Sequence, residues 1–125
     1  MIVGIGIDIV QISRLGDAVD RYGDRFLRRV FTDWERAYCE ARIRTMERYA
    51  ARFAAKEAAF KALGRGWDAA GGFTSVEVLS GEAGNPVLMF HGRAEELFDR
   101  LGATGAYLSL THDAGVSAAV VVLER

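Results

Sequence analysis

Asp8 stands inside an otherwise apolar run, residues 2–10, whose alternation predicts a β-strand. Val3, Ile5, Ile7 and Ile9 are expected on one face of that strand, with Gly4, Gly6 and Asp8 on the other. A carboxylate buried there needs a pair or a cation, because an isolated charge is expensive to remove from water. The two glycines take side-chain bulk away beside it, leaving space for a ligand or for a close backbone. A solvated Asp at the strand end, or a cap of the next helix, is the alternative. Glu57 and Lys61 form the second group. Met46, Tyr49, Ala50, Phe53, Ala54 and Phe60 recur at helical spacing, and at about 100° per residue both ionisable residues project into that stripe. Four apart, they can also touch each other, and an ordinary surface ion pair on a differently rotated helix is the alternative. An Asp from a strand and a Glu from a helix can hold a hard divalent cation. Magnesium takes one or two protein carboxylates, keeps waters and meets substrate phosphates. With a lysine to balance phosphate charge, the group suits phosphoryl-type transfer, in which positioning and neutralisation do most of the catalysis.

Two further sets follow. His112 comes after Ser109, Leu110 and Thr111; a histidine in a turn beside hydroxyls is either simply solvated or a phosphate contact. Arg14, Arg21, Arg25 and Arg28 are spaced by seven, four and three, which makes one basic stripe if helical geometry runs through all of them. That stripe is either a solvated face balanced by Asp17, Asp20 and Asp24, or a docking patch that steers an acidic protein partner.

The elements that must position these residues are legible in outline. Ser13 is expected to cap a helix carrying Leu15, Val19 and Tyr22, which Gly23 interrupts. Thr32 to Glu35 has the capping-box pattern of a new helix. A long helix is expected over residues 45–63, closed by Gly64, and its back row of Ala51, Ala55, Ala59 and Ala62 suits packing on two sides. Residues 73–79 and 87–90 read as strands joined by a turn at 81–86. Ala94, Leu97, Phe98 and Leu101 mark a short amphipathic helix that Gly102 closes. Residues 107–111 and 116–123 read as a hairpin turning through 112–115. Strands and helices do not alternate regularly, so the expected fold is α+β: one domain, residues 1–125, with a mixed or antiparallel sheet against the long central helix.

Composition narrows the classes. The net charge of −1 supplies no global field toward nucleic acid, and no apolar stretch nears the roughly 18 residues of a membrane span. Half the residues are hydrophobic and about a quarter are charged, the balance of a soluble globular chain. The one cysteine, Cys39, cannot form an internal disulfide, and no signal-peptide pattern follows Met1, so a reducing, cytoplasmic setting is expected. Two histidines and no cysteine cluster argue against zinc. No phosphate loop, Gly-x-Gly-x-x-Gly fingerprint or Gly-x-Ser-x-Gly elbow is present.

Three segments, in order and spanning the chain, resemble the holo-acyl-carrier-protein synthase family of 4′-phosphopantetheinyl transferases. They are Gly4-Ile5-Gly6-Ile7-Asp8-Ile9-Val10, Arg52-Phe53-Ala54-Ala55-Lys56-Glu57-Ala58-Ala59-Phe60-Lys61-Ala62-Leu63-Gly64, and Ser109-Leu110-Thr111-His112. Val30-Phe31-Thr32 with Glu35 fits as well. Two positions depart: Asn85 stands between Gly84 and Pro86 where a lysine is common, and Arg65 stands where a small residue is common. The resemblance implies that Asp8 and Glu57 bind Mg²⁺, and that a serine of an acidic acyl carrier protein attacks coenzyme A. Glu57 or a metal-bound water would be the base, and Lys61 would offset charge on the leaving 3′,5′-ADP. It further implies Arg52, Lys56, Lys61, Ser109, Thr111 and His112 as coenzyme A contacts, and Arg14, Arg21 and Arg25 as carrier contacts. A homotrimer is implied too, with Asp8 and Glu57 from one subunit and the His112 hairpin from its neighbour, and no nucleic-acid or membrane partner.

Overall fold

Small side chains let one helix occupy the centre of the molecule. The computed structural model describes residues 1–125. Its elements are β1 (Ile2–Gln11), α1 (Ile12–Tyr22), α2 (Asp24–Val30), α3 (Asp33–Glu40), α4 (Thr45–Leu63), β2 (Val76–Ser80), β3 (Pro86–Phe90), α5 (Gly92–Arg100), β4 (Gly105–Asp113) and β5 (Val116–Glu124), with one 3₁₀ turn at Phe73–Ser75. The strands form two antiparallel sheets, one in the order β1-β5-β4 and one of β2 with β3. This is the expected α+β domain, with its sheet divided in two.

Helix α4 buries Ala50, Ala54, Ala55, Ala58, Ala59 and Ala62, and Gly64 ends it in the left-handed region at φ 79°. Along its length the alanines meet β5 through Ala119, Val121 and Leu123, and meet the second sheet through Val76 and Val78. Against β1 the approach is closer still. A methyl group on Gly4 would overlap the carbonyl oxygen of Ala62, and one on Gly6 that of Ala58. The glycines beside Asp8 therefore serve a close backbone. A smaller cluster built on Leu15, Leu27, Val30, Phe31, Cys39 and Tyr49 joins α1, α2 and α3 to the start of α4.

Several local expectations change. A bulge between Ile2 and Gly4 leaves Val3 packed against the core, apart from the isoleucines. Ile5, Ile7 and Ile9 point away from α4 and are 64%, 67% and 70% exposed. By register Val122 and Tyr107 lie on the face of Ile5, and Val120 and Ser109 on that of Ile7. Gln11, not Ser13, is the residue before α1, and no side chain caps that helix. The 73–79 segment begins as a 3₁₀ turn, and pairing starts only at Val76.

The capping box of α3 is present and does more than start a helix. Glu35 is fully buried; its Oε1 accepts from Thr32 N at 2.9 Å, and its Oε2 accepts from Val78 N at 2.8 Å. Lys56 is fully buried as well, with Nζ 2.8 Å from Glu35 Oε1 and donating to the carbonyls of Phe73 and Val76 at 3.1 and 2.5 Å. Burial pushes the Lys56 ammonium below its ordinary value, and the Glu35 carboxylate opposes that push. The expectation that Lys56 contacts coenzyme A is thus corrected. A side chain with no exposed surface and three oxygen partners is a core cross-link between α4, α3 and the second sheet.

Candidate active site

Asp8 and Glu57, 49 positions apart in sequence, face one cavity of about 570 Å³. Strand β1 supplies Asp8, whose side chain falls on the face turned toward α4, opposite Ala119 of β5. Helix α4 supplies Glu57 one residue before Ala58, where the helix lies against Gly6. Val10, Leu15, Phe26 and Phe53 give the cavity apolar lining, and Arg14 of α1 lines it as well.

Lys61 belongs to the same group, although by a different contact from the one its spacing suggests. Its Nζ donates to the carbonyl of Ile7 at 2.8 Å and to Asp8 Oδ1 at 3.3 Å, bridging α4 to β1 with no ion pair to Glu57. Neither residue lies within the apolar face of α4: Glu57 is half-buried, Lys61 is exposed, and the cation in the interior is Lys56. Burial first, and the Asp8 charge second, raise the Glu57 carboxyl above its ordinary value, with Lys61 opposing. The sign follows from linkage. A raised acid favours the folded state most in its protonated form, so that contribution is full below the ordinary carboxylate range and is lost as pH rises through the raised value. Ionised, the two carboxylates repel each other, and a divalent cation removes that repulsion. No group of three or more acidic, histidine or cysteine side chains is assembled anywhere in the chain. Two carboxylates in a cavity open to phosphates and water fit magnesium, which rarely takes an all-protein cage.

The remaining predicted contacts gather in a second cavity of about 350 Å³, lined by Arg48, Arg52, Ser109, Thr111 and His112 together with Tyr38 and Ser80. Arg52 is nearly buried; its guanidinium lies 4.0 Å from the Tyr38 ring centroid and its Nε has no partner. His112 is in β4 opposite Ser117, and the hairpin turn is at Ala114 and Gly115, which have φ of 50° and 79°. The imidazole is therefore set by a strand, not a turn, and its Nδ1 lies 2.9 Å from Oε1 of Glu47. The two cavities share no lining residue. Glu57 lies nine residues beyond Arg48 on α4, about 14 Å along the axis at about 1.5 Å per residue.

Gly23, at φ 62°, ends α1 and starts α2, so the arginines do not form one continuous stripe. Arg14 and Arg21 share α1 two turns apart, Arg25 and Arg28 lie on α2, and all four are exposed. Sequence reasoning missed Arg48 and Tyr38 in the second cavity and Leu15, Phe26 and Phe53 in the first. Arg48 carried a usable signal, one helical turn before Arg52; the apolar residues carried none, since apolar lining and apolar core look alike in sequence.

The profile of the 4′-phosphopantetheinyl transferase superfamily matches residues 4–120. A protein of Solibacter usitatus named holo-acyl-carrier-protein synthase is 44% identical over 125 residues, the whole of both chains. One of the same name from Solidesulfovibrio magneticus is 48% identical over 124 residues, 99% of each. Among solved structures, the holo-acyl-carrier-protein synthase of Neisseria meningitidis superposes with a TM-score of 0.92 at 30% identity over 100% of both chains. That of Helicobacter pylori, in complex with coenzyme A, gives 0.84 at 32% identity, covering 96% of this chain and 99% of that one.

Proposed function

Because this chain belongs to the 4′-phosphopantetheinyl transferase superfamily and is thereby a transferase, we propose that it moves the 4′-phosphopantetheine arm of coenzyme A onto a serine of an apo acyl carrier protein. The observation that carries this reading is the shared cavity of Asp8 and Glu57, with Lys61 laid across Asp8. Asp8 and Glu57 would hold Mg²⁺, which when bound neutralises charge on the coenzyme A pyrophosphate and orients it. Glu57 would accept the serine proton. The serine oxygen forms the new bond to the phosphorus that carries pantetheine. The bond from that phosphorus to the bridging oxygen breaks, and adenosine 3′,5′-bisphosphate leaves with the electron pair. The exposed Lys61 ammonium offsets the charge gathered on that leaving group. Arg52, Ser109, Thr111 and His112 are assigned to the coenzyme A nucleotide phosphates.

The active unit in this proposal is a homotrimer, and two features support it. The carboxylate group and the His112 group line separate cavities within one chain, and a neighbour's hairpin would bring the two groups to one site. The outward sheet face built on Ile5, Ile7 and Ile9 is apolar and uncovered, as an interface between copies requires. No helix is long and apolar enough to cross a membrane. The cytoplasmic setting in this proposal rests on the single buried cysteine, Cys39, which has no partner for a disulfide.

The deciding experiment mixes the protein with coenzyme A, Mg²⁺ and an apo carrier, and reads intact masses. The expected result is a carrier heavier by one phosphopantetheine and an equal amount of adenosine 3′,5′-bisphosphate; a carrier of unchanged mass overturns the proposal. The docking patch makes its own prediction. Arg21→Glu, remote from the carboxylates on the second turn of α1 after Arg14, should raise the carrier KM about tenfold and flatten its salt dependence. Its coenzyme A KM should not move. Arg14→Glu should do the same, with an added effect because Arg14 also lines the carboxylate cavity. Unchanged carrier kinetics in both variants would remove the patch from the account.

A further inference from the structure

Glu47 has no part in the reaction described so far, yet it is the one side chain that grips His112. It lies in the first turn of α4, and its Oε1 is 2.9 Å from Nδ1 of the imidazole. Its Oε2 faces the Arg44 guanidinium at 3.7 Å. The Glu47 side chain is 21% exposed and that of His112 is 54% exposed, so the acid is the fixed member of the pair. The backbone of His112 is held by pairing with Ser117, which leaves ring rotation as its remaining freedom. Near neutral pH a carboxylate accepts and cannot donate, so this approach is favourable only when Nδ1 carries a hydrogen. The partner of one ring nitrogen decides what the other presents. With Nδ1 taken, Nε2 is the nitrogen left for the cavity that Arg48, Arg52, Ser109 and Thr111 also line.

We propose that Glu47 is a positioning residue: it takes the Nδ1 hydrogen of His112 and turns Nε2 toward the coenzyme A phosphates. The identity of the ligand rests on the transferase reading above; the Glu47 contact does not. With a carboxylate at Nδ1 and a phosphate at Nε2, the ring donates from both nitrogens, and Glu47 balances the charge. A merely structural role has a different signature. An acid in the first turn of a helix stabilises that helix through its N-terminal partial charge, and losing it lowers the melting temperature without touching ligand affinity.

The test compares wild type, Glu47→Ala, His112→Ala and the double variant by calorimetric titration with coenzyme A, together with ¹⁵N spectra of the His112 ring in the free protein. Wild type should show hydrogen on Nδ1, and Glu47→Ala should lose that signature. Glu47→Ala should weaken coenzyme A about tenfold, the scale of one charge-assisted hydrogen bond, and should add less than about twofold in the His112→Ala background. An unchanged dissociation constant for Glu47→Ala, equal losses in both backgrounds, or a wild-type ring with hydrogen on Nε2 alone each overturns the inference. Failure of the transferase reading shows elsewhere, as a carrier that gains no mass.

Discussion

Alanine at Asp8 or at Glu57 is expected to lower kcat/KM by about a thousandfold at saturating Mg²⁺, with the fold retained, because on the proposed mechanism each change removes charge stabilisation that acts on the transition state. The two substitutions should differ in their side effects. Asp8→Ala takes away one of the two anchors of Lys61, which keeps only the carbonyl of Ile7. It also relieves Glu57 of a like charge, so the Glu57 carboxyl should titrate lower than before. Glu57→Gln, similar in shape, removes an acid that burial and Asp8 hold in an unfavourable ionised state; the metal-free protein should therefore melt higher at neutral pH, with the gain shrinking as pH falls through the raised value. If the two carboxylates act as a unit, as the proposal has it, the double alanine variant should lose little more than either single one. Turnover by carrier mass, Mg²⁺ titration by calorimetry and melting curves between mildly acidic and neutral pH check these points. Near-wild-type rates in either alanine variant would detach the metal from this pair.

The largest expected effect on stability belongs to a residue outside the site. Lys56→Met keeps volume and removes the charge, leaving the Glu35 carboxylate fully buried with two amide donors and no cation. Breaking a buried pair from one side costs about 3–5 kcal/mol, a large share of the roughly 5–15 kcal/mol that separates folded from unfolded domains. The urea midpoint should fall accordingly, and the variant that stays folded at low temperature should bind coenzyme A with unchanged affinity. An unshifted midpoint together with weakened coenzyme A binding would return Lys56 to the ligand and undo the correction made from its burial.

What the sequence disclosed was mostly what is local. The Thr32–Glu35 capping box, the Gly64 stop and the span of α4 are each set by residues within a few positions of one another, and all three are present. Asp8 was legible because a charge interrupts an apolar alternation. The rotation of α4 was not. Apolar periodicity orients a helix that buries one stripe, whereas α4 buries alanines on two sides, so its contrast between faces is weak. Lys56 and Glu57 differ by about 100° of rotation, and what decides between them is the Glu35 carboxylate, 21 residues earlier. The alternation of β1 divided its faces correctly from Ile5 onward but could not say which one the core takes. The glycine face takes it because α4 approaches to backbone contact there, and the isoleucine face is left outward. The arginine row failed at a single positive φ, at Gly23.

Gly4 and Gly6 set main chain against main chain between β1 and α4. Nothing pliable lies in that gap: no rotamer can flip there and no methyl group can slide. The main chains that carry the two acids are therefore held at one spacing, and what the carboxylates can still adjust is the rotation of their own side chains.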